Sequence, residues 1–309
     1  MNRKQYLITL IAFAVASLAL IVTNFFFAYL DWIWMILIIS AGYFYIRYKI
    51  TGPLQMFARR FNMMVDYDLD VEGALKMAKE NYDNAPTKSV KSLFAIYLGM
   101  AYYYNSRYKE SVSTFNLIDL NQVNHLYHVL IFAFSAYAAY EDGDQETFNI
   151  SLDRMEQVKN RINKRYLSFA SNYLDILTAM KNLEFDPENY RQTIENNFSR
   201  EDGYVSTRLV YNYRMALYYK TVGNIEEMDK CLAKVIANGQ NHHTAVQAKL
   251  LFQNTCKIED FIFTEPSTAP NTDPVDIVEE PKQIEQLEEV EIVEEQVEKV
   301  EEVNPEDKE

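Results

Sequence analysis

The chain has 309 residues, of which 49% are hydrophobic, enough for one large domain or two modest ones without covalent staples. Its net charge of −14 is unevenly spread: Glu259 to Glu309 holds 19 acidic and 3 basic residues, leaving 25 acidic and 27 basic over 1–258. A nearly neutral body with an acidic tail lacks the clustered Lys and Arg that phosphate neutralisation needs, so nucleic acid is not an expected partner.

The first element is apolar. No charged side chain occurs from Gln5 to Leu30, and this run exceeds the roughly 20 residues that cross a bilayer at about 1.5 Å rise each. It also outlasts the core of a cleavable signal, about 7–15 residues, continuing into Phe25, Phe26 and Phe27, so an uncleaved anchor is expected. After Asp31 a second uncharged run, WIWMILIISAGYFYI, reaches Ile46, with Trp32, Trp34, Tyr43 and Tyr45 suited to interfaces. Arg3 and Lys4 precede the first run, and Arg47, Lys49, Arg59 and Arg60 come after the second. Only a pair of spans puts both basic clusters on the cytoplasmic side, which predicts a transmembrane hairpin over 1–50, with the N-terminus and the chain beyond residue 50 facing the cytoplasm.

Gly52-Pro53 is expected to break the helix there. Over 51–68, Leu54, Phe57, Phe61 and Met64 share one helical face opposite Arg59 and Arg60. That pattern fits a juxtamembrane amphipathic helix in the headgroup region, and equally a first helix packed on the next domain.

From 69 to 258 apolar residues recur at three and four positions, which predicts helices. Breaks fall at Asn105-Ser106, Asp142-Gly143, Phe185-Asp186-Pro187 and Val222-Gly223-Asn224, about 40 residues apart, each separating a longer aromatic helix from a shorter one. Two helices per unit at this period is the pattern of an α-solenoid, in which each pair buries its apolar face on the next. Asn238-Gly239 is read as a helix stop with a glycine suited to positive φ, and TAVQAKLLFQN as a last, capping helix.

The stretch YLGMAYYYNSRYKESVSTF, residues 97–115, resembles a tetratricopeptide repeat. Leu98-Gly99 stands at the small packing position, Tyr102 at the aromatic, Tyr108 just after the turn and Phe115 in the second helix. It departs from the pattern at Ser111, where alanine is usual, and at Ser106, where a turn glycine is missing; no proline closes the unit. The resemblance implies an all-α, TPR-like array that binds protein or peptide partners on a concave surface and carries no catalysis of its own. Carrying the repeat register across the units places Met100, Tyr103, Tyr137, Tyr140, Tyr173 and Tyr213 toward that surface as candidate partner-binding residues. Core packing is the competing reading of the same stripe. Two anchors before such repeats are also similar to bacterial envelope assembly factors, including a family named for heme biosynthesis, though no motif here carries that role over. The Asn- and Lys-containing, Pro-poor composition points to a bacterial source.

The segment 259–309 is expected to be a largely disordered acidic tail. After a linker rich in Pro, Thr and Asp comes QIEQLEEVEIVEEQVEKVEEV, whose apolar residues repeat every three or four positions among mutually repelling glutamates. A basic partner could make it helical.

Chemistry is scarce. Only 8 glycines occur, none in a phosphate-loop spacing, so no nucleotide cofactor is expected. Cys231 and Cys256 lack the companions of a disulfide framework or a zinc site and read as free thiols in a reducing compartment. His125 and His128 could share a helix face, but no third ligand joins them, and His242-His243 falls in a predicted turn, so no metal is expected. The expectation is a non-enzymatic membrane-tethered cytoplasmic adaptor or scaffold. The alternative is a tethered sensor of a peptide or small ligand, with the tail as its switch.

Overall fold

The computed structural model describes residues 3–27, 31–198 and 204–263. The acidic-tail expectations, from residue 264 on, lie outside the described residues. Among the described residues the protein is all-helical, with twelve α-helices and no strand.

Helices α1 (Arg3–Phe27) and α2 (Trp32–Asn62) form an apolar pair; the Phe13 ring fills the space beside Gly42 where a side chain would stand. Among the described residues one helix, over Lys4–Phe26, is long and apolar enough to cross a membrane, and it is not buried inside the protein; the apolar part of α2, Trp32–Ile46, is shorter.

The expected break at Gly52-Pro53 does not occur: α2 runs through Pro53 to Asn62. An interior proline removes one backbone hydrogen bond and crowds the preceding turn, at about 3 kcal/mol. Beyond it, Leu54, Phe57 and Phe61 are buried, each contributing about 1.5–3 kcal/mol, which outweighs the proline. Phe57 meets Phe94 and Tyr97 edge-on at 4.9 and 5.2 Å, and Phe61 meets Tyr97 at 5.2 Å. Of the two readings of this segment, the packed helix is the one observed, because its apolar stripe faces α4. A single π-turn, Met63–Tyr67, then ends α2, and Leu69 at φ 53° redirects the chain.

The remaining helices are α3 (Val71–Asp83), α4 (Lys88–Tyr104), α5 (Tyr108–Asn116), α6 (His125–Asp142), α7 (Gln145–Lys159), α8 (Leu167–Lys181), α9 (Pro187–Asn197), α10 (Val205–Thr221), α11 (Ile225–Asn238) and α12 (His243–Leu251). From α3 onward each packs on the next, and α4 with α6 and α6 with α8 also touch. All four expected breaks are turns between a longer and a shorter helix. Their local chemistry is shared: Gly143 and Gly223 take φ of 77° and 78° to end α6 and α10, and Asp144, Asp186 and Asn224 accept a backbone N–H to start α7, α9 and α11. In the α4–α5 turn Ser106 holds the left-handed position, at φ 58°.

Gly99 and Phe115 meet as the spacing requires: a Cβ at Gly99 would lie 2.5 Å from the Phe115 ring, so only glycine admits it. Ser111 is buried beside them and donates its hydroxyl to the Gly99 carbonyl at 2.8 Å. Tyr108 is buried, while Tyr102 is half-buried under the Arg107 guanidinium at 4.7 Å.

The stop at Asn238-Gly239 is observed, but not the expected geometry. Gly239 has φ −92°, and Gln240 takes the left-handed conformation at 46°. A Cβ on Gly239 would press on Ala245 of α12 at 2.6 Å, so the glycine serves close approach and leaves the reversal to its neighbour. The chain stays packed past α12: Phe263 N–H donates to Asn238 Oδ1 at 2.8 Å, and its ring lies under Arg208 at 3.8 Å.

Candidate functional site

The longer helices α4, α6, α8 and α10 bring aromatic side chains together in the interior, and this shared surface is the protein's inner face. Tyr103 of α4 meets Phe134 and Tyr137 of α6 at 5.5 and 6.2 Å, and Tyr137 meets Tyr173 of α8 at 6.3 Å. Arg214 of α10 lies 5.7 Å from the Tyr137 and Tyr140 ring centres and 5.8 Å from that of Tyr213. Five of the six candidate residues therefore join one network. Met100 stands apart, half-buried where this network borders the α2–α4 cluster.

The expected exposure is not found for half of the set. Tyr103, Tyr137 and Tyr213 are 4%, 9% and 3% exposed and offer no face to a partner, whereas Met100, Tyr140 and Tyr173 are half-buried. The reason is that the protein covers its own inner face from two sides. The π-turn reaches α10, where Ser206 donates to Asp66 Oδ1 at 2.7 Å and Tyr67 packs on Tyr204 at 4.6 Å. From the other side, His243 at the start of α12 packs on Tyr103 with ring centres 4.2 Å apart and planes tilted by 47°, His242 faces Tyr104 at 5.5 Å, and Gln247 donates to the Tyr108 hydroxyl at 3.1 Å.

A buried ion pair lies under this cover. Arg214 Nη1 is 3.4 Å from Glu141 Oε1, with both side chains under 5% exposed, and the Tyr213 hydroxyl donates to Glu141 Oε2 at 2.9 Å. Burial holds the Glu141 carboxyl above the usual carboxylate range, with Arg214 and Tyr213 offsetting part of that. Burial opposes charge on Arg214, but Glu141 beside it keeps the guanidinium protonated. The tyrosines titrate late for the same reason, burial pushing Tyr173 and Tyr108 up to about 12. Glu141 Oε1, Arg214 Nη1, His242 Nε2 and both ring nitrogens of His243 are buried without a hydrogen bond. Burial pulls His242 down to about 3 and His243 well below the usual histidine range, so both imidazoles are neutral.

Spacing could not find Glu141, Arg214 or the histidine pair. Arg214 sits among tyrosines on a helix whose every face carries a polar group, and His242-His243 reads as a turn because its burial depends on residues about 140 positions away. His125 and His128 lie 5.1 Å apart, and His128 Nε2 is within 3.0 Å of the Leu120 carbonyl. Among the described residues no three His, Cys, Asp or Glu side chains are grouped to hold a metal. Cys231 and Cys256 are free, burial raising the Cys231 thiol to about 11 and hence lowering its reactivity.

Compared with family models, with curated proteins and with solved structures, the chain matches none of them.

Proposed function

We propose that this chain is a membrane-anchored scaffold. In this reading α1 and the apolar half of α2 form a two-span anchor with both ends in the cytoplasm, and a divergent TPR-like array presents its inner aromatic face to a protein or peptide partner, without catalysis. The observation that carries the reading is α2: the same helix begins in an apolar, exposed run and ends in the core of the helical pairs, so anchor and array are one body. Met100, Tyr140 and Tyr173 are the members of the inner face with surface left for a partner. Tethering raises the local concentration of whatever is held.

The test has two arms. Reporter fusions after residue 60 read topology, with cytoplasmic reporter activity expected and alkaline phosphatase activity contradicting it. Photo-crosslinkers at positions 100, 140 and 173 of the full chain in its native membrane read the face. A discrete protein adduct at these positions, and none from positions on α7 or α9, is expected; adducts indifferent to position would remove the groove. A second reading, sensing of a small polar ligand, draws on the buried Arg214, Glu141 and His243 atoms that lack hydrogen bonds. A small molecule retained on the protein in native mass spectrometry would favour it over the scaffold.

A further inference from the structure

We propose that the first turn of α12 is an acid-released latch, whose opening uncovers the aromatic inner face at Tyr103, Tyr104 and Phe134. Its polar bonds are local to the turn, apart from Gln247 to the Tyr108 hydroxyl, and the two imidazoles meet the face they cover through ring packing and burial alone. His243 lies on Tyr103, within 6.1 Å of Tyr104 and 4.6 Å of His242. His242 caps α12, its Nδ1 lying 2.8 Å from Thr244 Oγ1 and 3.4 Å from the Thr244 nitrogen, while its Nε2 is buried without a partner.

The groups around this turn offer a new cation a like charge and no unengaged carboxylate. α4 supplies the neutral Tyr103 and Tyr104, α5 supplies Tyr108, and α10 supplies Arg214, a like charge whose field acts on His243. The nearby carboxylate is Glu141 of α6, already engaged by Arg214 and the Tyr213 hydroxyl. Asp66 of the π-turn acts on Tyr104 but is bonded to Ser206. From α11, buried Asp229 accepts the N–H groups of Gln253 and Thr255, clasping the chain just beyond α12. Gln240, in the left-handed conformation, precedes the turn, so α12 has a reversal on one side and a clasp on the other.

Imidazoles that reach water can take protons near their ordinary value of about 6.5, and buried ones cannot, so acid favours the open form. The sign is set by the depressed values in the closed form: the closed form is most favoured above about 6.5 and loses ground as pH falls below it. Glu141 works in the opposite sense, its protonation favouring burial, but it belongs to α6 and stays inside when α12 leaves. With two histidines uncovered, opening should rise about 100-fold between pH 7.5 and 5.5, and about 10-fold with one.

What the latch uncovers rests on the reading of the inner face as the partner surface; the latch itself does not. Amide hydrogen exchange of the full chain in lipid nanodiscs, corrected for the intrinsic pH dependence, measures it. The expected result is a rise of about 100-fold in opening of α12 while α6 and α8 stay protected. His242→Asn, which keeps the cap, and His243→Phe, which keeps the ring, should each reduce the rise to about 10-fold, and together abolish it. Opening of the parent chain that ignores pH, an unchanged slope in the double variant, or loss of protection in α6 together with α12 would each overturn the latch. Acid opening of α12 with no gain in photo-crosslinked partner would leave the latch standing and exclude the rings it uncovers from the partner surface, whereas absence of position-specific adducts at 100, 140 and 173 at either pH would sink the scaffold reading instead.

Discussion

Ser106 carries a backbone conformation that its side chain disfavours. Its φ of 58° is the one that Gly143 and Gly223 adopt freely in the equivalent turns, and a left-handed residue with a Cβ costs about 1–2 kcal/mol. Ser106→Gly should therefore stabilise the protein by about 0.5–1 kcal/mol after the entropy of glycine is counted, read as a higher urea midpoint. Gly99 predicts the reverse. A methyl there meets the Phe115 ring, and Gly99→Ala should cost about 1–3 kcal/mol, with Phe115→Leu in the same chain restoring part of the loss. Both residues were legible in the sequence, because a turn glycine and a small residue opposite an aromatic are local requirements with a fixed spacing.

At the scale of helices, the Glu141–Arg214 pair ties α6 to α10 across the interior. Removing one buried charge strands the other, so Arg214→Met alone should cost about 3–5 kcal/mol, whereas Arg214→Met with Glu141→Gln, which keeps an acceptor for Tyr213, should cost less than the single change. Chemical denaturation of the two variants and the parent decides it. The helices, their order and all four turns were legible, since periodicity and caps are written within a few residues of each other. Pro53 was misleading for a physical reason: the local cost of proline is fixed, but the opposing gain comes from Phe94 and Tyr97, about 40 residues downstream. The inner face shows the same limit. Register could place Tyr103, Tyr137, Tyr140, Tyr173 and Tyr213 on one side, but whether that side is open depends on α12 and the π-turn, which periodicity does not position.

At the scale of the whole molecule, the Ser206–Asp66 contact spans 140 positions and joins the end of α2 to the start of α10. Ser206→Ala should lower stability by about 1 kcal/mol, and hydrogen exchange should speed up together in the π-turn and at the start of α10; loss confined to one of them would mean the two ends move independently.

The continuity of α2 has a geometric consequence on the proposed reading. From Ile46 to Asn62 the helix climbs about 24 Å with no loop between, so the array has no leash. Each copy in a bilayer would carry its inner face at one altitude and one compass heading relative to its own anchor. A partner diffusing in the same bilayer is then met by a two-dimensional search, and its recognition segment must stand at the matching height to be met at all.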